Sequence, residues 1–445
     1  MASFLHKKKS LTSFQTIILG FSGVILLGAL LLMLPVSSRN GVFTPFHEAL
    51  FTSTSAVCVT GLVVHDTATY WSVFGQIIIL ILIQIGGLGV ITVAASFALL
   101  AKKRISLTQR STMQEAIAAP KVGGIVRLTS FILKATFLME LLGALFMMPV
   151  FCRDFGAKGI WMSVFHSISA FCNAGFDILG TPDSLYPSLT AYLGNPVINI
   201  TIMFLIVSGG LGFLTWQDIY TNKLKFKRYC MQSKIILITT ALLILIPAGL
   251  FFFIEFSDLP VKERILSSFF QSVTPRTAGF NTANLAAMSG AGQAIMITLM
   301  IIGGSPGSTA GGMKTTTFAV LFANALATFG RKEEAQFFGR RINSNIIRNA
   351  STILMMYITL FFSGGLIISV IEGLPMGTCL YETASAVATV GLTLGITPDL
   401  HLSSQIILIC LMFLGRVGGL TLIYAALSGT KKNLVKVPQG NVTVG

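Results

Sequence analysis

Charged residues are scarce in this chain of 445 residues: they make up only 11% of it, whereas a soluble domain carries about 25%. Hydrophobic residues make up 53%, and long apolar runs recur, for example at 13–34, 74–100 and 233–256. A membrane-spanning helix needs about 20 such residues. The composition therefore excludes a soluble globular protein and predicts several membrane crossings. Because no small-residue cleavage site follows the first run, it is predicted to be a retained helix.

Acidic residues are the scarcer charged type. The chain has 16 acidic and 31 basic residues, a net charge of +15 that by itself would suggest a nucleic-acid partner. Most basic residues, however, fall between apolar runs, and basic residues mark the cytoplasmic loops of membrane proteins. Topology explains the charge without nucleic acid, and it predicts that both termini and the segments between repeats are cytoplasmic. The basic clusters lie at 7–9, 102–104, 223–228, 331–341 and 431–432.

Cysteine is also rare. Six residues are scattered along the chain, with no CxxC and no spacing typical of metal ligands. Cys58 and Cys172 occupy equivalent positions in a repeated motif and are interpreted as small packing residues. The sequence has no pair of catalytic residues at helical spacing, and its histidines lie mainly in predicted loops. An intramembrane enzyme is therefore disfavoured, and no catalytic residue is predicted.

One motif occurs four times at nearly regular intervals. Each copy begins with an aromatic residue, runs through small and hydroxylated residues, and ends in a glycine followed by an apolar residue. Such a period indicates one structural unit used repeatedly. Four pore-loop-like turns suggest a pore with pseudo-fourfold symmetry. The copies are Phe51–Gly61 (FTSTSAVCVTG), Phe165–Gly175 (FHSISAFCNAG), Phe269–Gly279 (FFQSVTPRTAG) and Tyr381–Gly391 (YETASAVATVG).

The pattern around each motif predicts an all-α membrane protein of four helix–pore loop–helix repeats around a central pore. The repeats are assigned to 1–110, 111–228, 229–340 and 341–445, the last with a cytoplasmic tail. The pore helices, predicted at 45–57, 159–171, 261–273 and 376–387, are too short to span and too polar to face lipid. Second helices are predicted at 74–100, 196–220, 291–329 and 402–427. Their glycine clusters at 86–89, 209–212 and 415–419 indicate either close helix packing or a break.

The glycine end of each motif is the predicted ion selectivity filter. A cation entering a membrane loses water, and backbone carbonyls replace that water without a buried fixed charge. The backbone must then take a conformation that glycine tolerates and bulky residues do not. Each preceding helix ends near the filter, where its dipole favours a cation. The predicted filter residues are Val59, Thr60, Gly61, Asn173, Ala174, Gly175, Thr277, Ala278, Gly279, Thr389, Val390 and Gly391.

The second helix of the third repeat contains a break that is predicted to be a gate. Glycine and proline abolish helical hydrogen bonding there, and the helix before the break is too short to span. The stretch imitates a nucleotide-binding G-x-x-x-x-G-K-[ST] loop, but Met313 separates Gly312 from Lys314 and no soluble strand precedes it, so nucleotide binding is rejected. The gate residues are Gly303, Gly304, Ser305, Pro306, Gly307, Ser308, Thr309, Ala310, Gly311 and Gly312.

Two cations, Lys314 and Arg416, lie within or near predicted spans. Such charges are costly and usually functional. Arg416 is interpreted either as an electrostatic barrier to a cation or as an anchor that holds the gate loop through its carbonyls. For Lys314, snorkelling to the cytoplasmic face is the competing interpretation.

Together these residues resemble the Trk/Ktr/HKT superfamily of potassium transporters, and most closely its bacterial Ktr ion-translocating subunit. The resemblance covers nearly the whole chain: four repeats, one filter glycine in each, a broken helix in the third and an arginine in the fourth. It implies potassium-selective uptake across the bacterial cell membrane through a gated, channel-like pore. Serine replaces the first filter glycine in some sodium-favouring members, so Gly61 implies potassium.

The resemblance also implies the partners of the chain. These are a second copy in a homodimer, each protomer with its own pore, and a cytoplasmic nucleotide-binding regulatory ring similar to KtrA. Potassium at the filter is the transported ion, and sodium is considered as an activator. The chain itself is expected to bind no nucleotide, and membrane lipid is expected to surround it. The main alternative is a sodium- or proton-coupled secondary transporter, for which Glu140 is the candidate mid-membrane carboxylate.

Overall fold

The computed structural model describes residues 12–100, 106–117, 123–223 and 225–418. The basic clusters at 7–9, 102–104 and 431–432, the end of the last predicted helix and the C-terminal tail lie outside these ranges. In the described part, a single β-hairpin of β1 (Gln336–Phe337) and β2 (Arg340–Arg341) accompanies the helices. Single-turn 3₁₀ helices lie at Pro35–Ser37, Thr190–Tyr192, Phe226–Arg228, Leu285–Ala287 and Thr397–Asp399.

The helices form four similar groups in chain order. The first repeat holds α1 (Ser13–Leu32), α2 (Phe46–Cys58), α3 (Val73–Leu88) and α4 (Val90–Leu100), and α5 (Leu107–Ile117) connects it to the second. The second holds α6 (Ile125–Phe155), α7 (Lys158–Phe171), α8 (Pro196–Gly210) and α9 (Phe213–Asn222). The third holds α10 (Met231–Ile254), α11 (Val261–Val273), α12 (Gly290–Ile301) and α13 (Thr315–Phe329), and the fourth holds α14 (Ser344–Glu372), α15 (Met376–Val387) and α16 (Leu402–Val417).

The first helix of every repeat is long and apolar enough to cross a membrane; these four are α1, α6, α10 and α14. The short helices α2, α7, α11 and α15 are the predicted pore helices. Three of them begin directly after a proline: Pro45, Pro260 or Pro375. Proline disfavours the helical conformation in the residue that precedes it, so the helix does not extend further toward the N-terminus. The prediction of a helical membrane architecture with short pore helices is confirmed, apart from the small hairpin of β1 and β2.

The second helices of the first two repeats are not continuous, which corrects the prediction. α3 and α4 meet at an angle of 97°, and α8 and α9 at 98°. The bends occur at Gly89 and Gly212, with φ of 86° and 88°. Gly418 at the end of α16 has nearly the same conformation, with φ of 87°. Only glycine adopts such a backbone without strain, and it does so even within a hydrophobic run.

A hydroxyl group fastens each pore helix to the first helix of its own repeat. In every case the side chain donates to a helical carbonyl across the interface. In the third repeat that carbonyl is Ile244 O, and Ser272 Oγ also lies 3.4 Å from Leu243 O, the carbonyl that Pro247 leaves without its intrahelical donor. The pairs are Ser53 to Ile25 at 2.7 Å, Ser167 to Glu140 at 2.6 Å, Ser272 to Ile244 at 2.6 Å and Thr383 to Phe361 at 3.1 Å.

Close approach of the second helix to the pore helix requires a missing side chain. A Cβ on Gly86 would overlap the carbonyl oxygen of Val57 near the end of α2. Gly209 and Gly415 make the same approach to the carbonyls of Phe171 and Val387. Both explanations of the glycine clusters therefore hold, at different positions: one glycine permits packing and another, three residues later, permits the bend.

Gly86→Ala is expected to lower the free energy of unfolding by about 1–3 kcal/mol, because the added methyl group overlaps backbone that cannot rotate away. Gly23→Ala is the matched control, since Gly23 lies on an exposed part of α1 with no atom within 4 Å of a Cβ. Thermal unfolding in detergent measures both. Equal melting temperatures for the two variants would show that the α2–α3 contact can relax at no cost.

Candidate functional site

The four predicted filter segments share one unusual backbone conformation. In each, the residue two before the glycine has a positive φ, although none of these four is glycine. The glycine itself also has a positive φ, from 68° at Gly175 to 95° at Gly61. Three of these four residues, Val59, Thr277 and Thr389, are β-branched, and a positive φ is strained for such residues. Their φ values are 57° at Val59, 59° at Asn173, 69° at Thr277 and 52° at Thr389.

The four glycines form a closed ring. A Cβ added to each glycine would meet the carbonyl oxygen of the residue just before the filter glycine of the next repeat. The glycine of the fourth repeat meets the first repeat in the same way, so the set of contacts closes. The missing side chains therefore allow four backbone segments to meet around one axis. The contacts run from Gly61 to Ala174 O, from Gly175 to Ala278 O, from Gly279 to Val390 O and from Gly391 to Thr60 O.

Hydroxyl groups on the pore helices hold these strained segments. Ser55 and Ser385 each accept a hydrogen bond from the N–H of the filter glycine in their repeat, at 3.0 Å. Ser169 donates to Phe176 O at 2.7 Å, and Thr274 donates to Phe280 O. Such bonds offset part of the cost of a left-handed backbone, which persists only when its surroundings fix it.

A cavity of about 100 Å³ lies directly above the ring and is lined by all four glycines. Asp66 and Asp177 also line it. Asp66 accepts hydrogen bonds from Thr69 of its own loop and from the N–H of Tyr186 in the second repeat. Burial, with a smaller contribution from Asp66, raises the pKa of Asp177 to about 7. A cation in the cavity would therefore favour the ionised form of Asp177.

The predicted gate loop connects α12 and α13 and is held against the second repeat by backbone hydrogen bonds. The N–H groups of Ser305 and Thr309 donate to Gly210 O and Gly209 O, at 2.9 and 3.2 Å. Thr309 Oγ1 also donates to Phe171 O, the end of the second pore helix, at 3.0 Å. The loop is therefore ordered backbone buried within the protein.

The same loop extends beneath the fourth filter segment. A Cβ on Gly311 would overlap the side chain of Thr389, and one on Gly312 would lie 3.0 Å from Ala388 O. A Cβ on Gly307 would meet Ile117 O of α5 at 2.6 Å. Glycine is required at these points because the loop passes close to α5, to the second repeat and to the fourth repeat.

Arg416 and Lys314 both donate to carbonyls of this loop. Arg416 Nη1 donates to Thr309 O, and Nη2 donates to Gly86 O and, at 3.3 Å, to Gly87 O. Arg416 therefore joins the loop to the bend of the first repeat. Lys314 Nζ donates to Ala310 O at 2.8 Å and to Gly311 O at 3.3 Å. Its ammonium group binds the loop, in contrast to the snorkelling interpretation.

Glu382 is a residue of the site that sequence reasoning missed. It lies in α15 with no exposed surface, and it accepts hydrogen bonds from the hydroxyls of Thr393 and Thr397, the latter at 3.1 Å. Thr393 lines the cavity above the ring. The signal was present: Glu382 is an acidic residue within an otherwise uncharged pore helix.

Glu140 and the motif cysteines lie behind the filter. Glu140 is buried in α6, with Oε1 3.9 Å from the thiol of Cys172. Neither residue lines the cavity above the ring. Cys58 is buried next to the first filter segment, as expected for a packing residue. Within the described ranges, no group of three His, Cys, Asp or Glu residues could hold a metal ion.

Comparison with known proteins identifies relatives over almost the whole chain. A family described as "TrkH: Cation transport protein" matches residues 4–434. The chain is 40% identical to the potassium/sodium uptake protein NtpJ of Enterococcus hirae, covering 98% of both chains. It is 37% identical to the Ktr system potassium uptake protein B of Bacillus subtilis, covering 97% of this chain and 96% of the relative.

A solved structure shares the fold. The crystal structure of the potassium transporter TrkH from Vibrio parahaemolyticus superposes with a TM-score of 0.73, covering 95% of this chain and 86% of the other. Only 18% of residues are identical, so the likeness concerns architecture.

We expect added K⁺ to raise the melting temperature, and we expect Glu382→Ala to lower thermal stability and to abolish that rise, because Thr393 at the cavity loses its buried partner. Each charge-assisted hydrogen bond contributes about 1.5–3 kcal/mol. Glu382→Gln, which keeps an acceptor, should retain part of both effects. Melting temperatures with and without K⁺ provide the measurement.

Glu334→Ala serves as the control, because Glu334 is an exposed carboxylate that pairs with Arg341 at the surface, away from the cavity lining. A K⁺-dependent rise in melting temperature that survives Glu382→Ala unchanged would show that Glu382 does not position the ion site.

Proposed function

Because the chain belongs to the TrkH family of cation transport proteins, we propose that it carries K⁺ across the bacterial cell membrane through a selective, gated pore. The observation that carries this proposal is the ring of four filter glycines, each facing a carbonyl of the next repeat. The names of the uptake proteins from E. hirae and B. subtilis support potassium as the ion.

The proposed ion path begins in the cavity above the ring. Asp66 and Asp177 concentrate cations there, and the carbonyl ends of the four pore helices favour a positive charge at the ring. A K⁺ ion exchanges its water for the carbonyl oxygens of Thr60, Ala174, Ala278 and Val390, which needs no fixed charge in the pore. Because the carbonyl groups carry no net charge, they do not hold the ion too tightly, and K⁺ can leave the ring after it binds.

The loop at 303–312 is the proposed gate. It lies under the fourth filter segment and contacts the second repeat through Ser305 and Thr309. Arg416 holds its carbonyl at Thr309 and adds a positive charge on the cytoplasmic side of the filter. Opening would require these hydrogen bonds to be replaced by water or by other backbone groups as the loop moves.

The proposed assembly is a homodimer in which each protomer has its own pore, bound to a cytoplasmic nucleotide-binding regulator. The Ktr system names of two relatives support a multicomponent system. The basic segments at 223–228 and 331–341 would face that regulator, with both termini in the cytoplasm. The regulator carries the nucleotide in this proposal, and Na⁺ acts as an activator.

A coupled transporter is the alternative, favoured by the buried carboxylate of Glu140. Glu140 does not line the cavity above the ring, which argues for a structural role. Potassium flux into vesicles distinguishes the two functions: a passive pore conducts down a K⁺ gradient alone, whereas a coupled transporter requires a Na⁺ or H⁺ gradient.

Gly61→Ser is expected to reduce discrimination against Na⁺ in an uptake assay with both ions. The added side chain would lie 2.5 Å from Ala174 O and disturb one carbonyl of the ring. Gly41→Ser is the matched control, since Gly41 also has a positive φ, of 67°, but no atom lies within 4 Å of a Cβ there. Unchanged selectivity in Gly61→Ser protein would exclude this ring as the filter.

Arg416→Ala is expected to raise K⁺ flux per folded protein, because it removes both the hydrogen bonds to the gate loop and the positive charge. A charge 4 Å from the ion contributes about 4 kcal/mol at an effective dielectric constant of 20, and about 1.4 kcal/mol changes a rate tenfold.

Arg416→Lys separates the two contributions. A lysine keeps the charge but cannot reach Thr309 O and Gly86 O together, so low flux in this variant indicates an electrostatic barrier and high flux indicates loss of the loop anchor. A fall in flux per folded molecule for Arg416→Ala would contradict both roles.

A further inference from the structure

A groove between α6 and α9 combines an apolar wall with two cations. Its volume is about 570 Å³, and its lining includes Arg127, Ser130 and Lys134 beside Trp216 and Phe171. Arg127, Ser130 and Lys134 lie three and four residues apart, so they share one stripe of α6. From these contacts we propose that the groove binds an anionic phospholipid of the cytoplasmic leaflet.

Among the residues that the structure describes, the two cations have no counter-charge. Arg127 and Lys134 are exposed, and neither forms an ion pair or a hydrogen bond with another described residue. The acidic residue on α9, Asp218, accepts hydrogen bonds from Asn222 and from the N–H of Cys230 instead. Lys134 lies about 13 Å along a membrane-spanning helix from its start, where an unpaired charge is costly. A lipid phosphate between Arg127 and Lys134 would supply the missing partner.

The rest of the groove suits the body of a lipid. Trp216 donates its indole N–H to Ser208 O at 2.8 Å, and the residue forms part of the apolar wall. Phe131 packs against Tyr220 with ring centroids 5.7 Å apart, and aromatic residues of this kind favour the membrane interface. Leu138 and Met139 continue the wall toward the membrane interior.

Charge separates this groove from two other apolar grooves on the described surface. A groove of about 390 Å³ beside Phe146 and Phe204 and one of about 670 Å³ beside Leu242 and Phe322 have no charged residue in their linings. Those two can hold any acyl chain. Only the α6–α9 groove among the three offers cations to select a headgroup.

The occupant would also lie close to the gate loop. Phe171 lines the groove, and its carbonyl accepts the hydrogen bond from Thr309. A lipid in the groove therefore contacts the same residue as the loop, although the binding inference holds whether or not the loop is a gate.

Tryptophan fluorescence tests the proposal directly. The chain has three tryptophans, and replacing Trp71 and Trp161 with Phe leaves Trp216 as the reporter in the groove. In vesicles, brominated phosphatidylglycerol should quench Trp216 with a relative binding constant on the order of tenfold above that of brominated phosphatidylcholine. The double variant Arg127→Gln/Lys134→Gln should remove this preference.

The matched control is Lys225→Gln/Arg228→Gln, which removes two exposed cytoplasmic charges outside the groove and should leave the preference intact. Equal quenching by the two brominated lipids would overturn the proposal, as would a preference that both double variants lose equally. Absence of quenching by either lipid would mean that protein covers the groove, as in an interface between copies, and would also overturn it.

A second measurement uses the chain with all its tryptophans. Native mass spectrometry of protein purified from mixed vesicles should show retained phosphatidylglycerol, and Arg127→Gln/Lys134→Gln protein should lose most of it. Retention that does not differ between the two proteins would contradict a headgroup site at Arg127 and Lys134.

Discussion

Backbone that leaves a helix at membrane depth must find its hydrogen-bond partners inside the protein, because lipid supplies none. Both non-helical parts of the site obey this constraint. Ser55 and Thr274 bind the filter segments from the pore helices, and Gly209 O and Gly210 O accept the N–H groups of the loop under the filter. The serines and threonines of the repeated motif are therefore structural partners of the strained backbone that follows them.

The parts of the fold that could be predicted from sequence are those that local sequence determines. The pore helices α11 and α15 were predicted with the bounds they have, because a proline precedes each and a glycine turn follows. The first helices follow from apolar length, and the break in the third repeat from its glycines and proline. Relatives and a solved fold confirm the family resemblance; the roles of the filter and gate residues remain predictions.

Other features depend on contacts that local sequence does not encode. Hydropathy runs unbroken across the bend at Gly89, so the glycine cluster alone leaves packing and a break as alternatives. The positive φ at Val59 and Thr389 opposes local preference and is imposed by the ring. In the third repeat both hydroxyl contacts come one residue later in the motif, from Ser272 and Thr274. Glu382 was visible in the sequence, but its threonine partners are brought to it only by the folded loop.

The ring of glycines also constrains how the chain can be made. Gly61 needs a carbonyl of the second repeat, but Thr60 in the same segment waits for Gly391 of the fourth. Synthesis therefore delivers three filter segments before the ring can close. A nascent chain that stops before the last pore helix holds an open arc with an unmatched first segment. Insertion of the final repeat is then the step that turns four tandem copies into a single site.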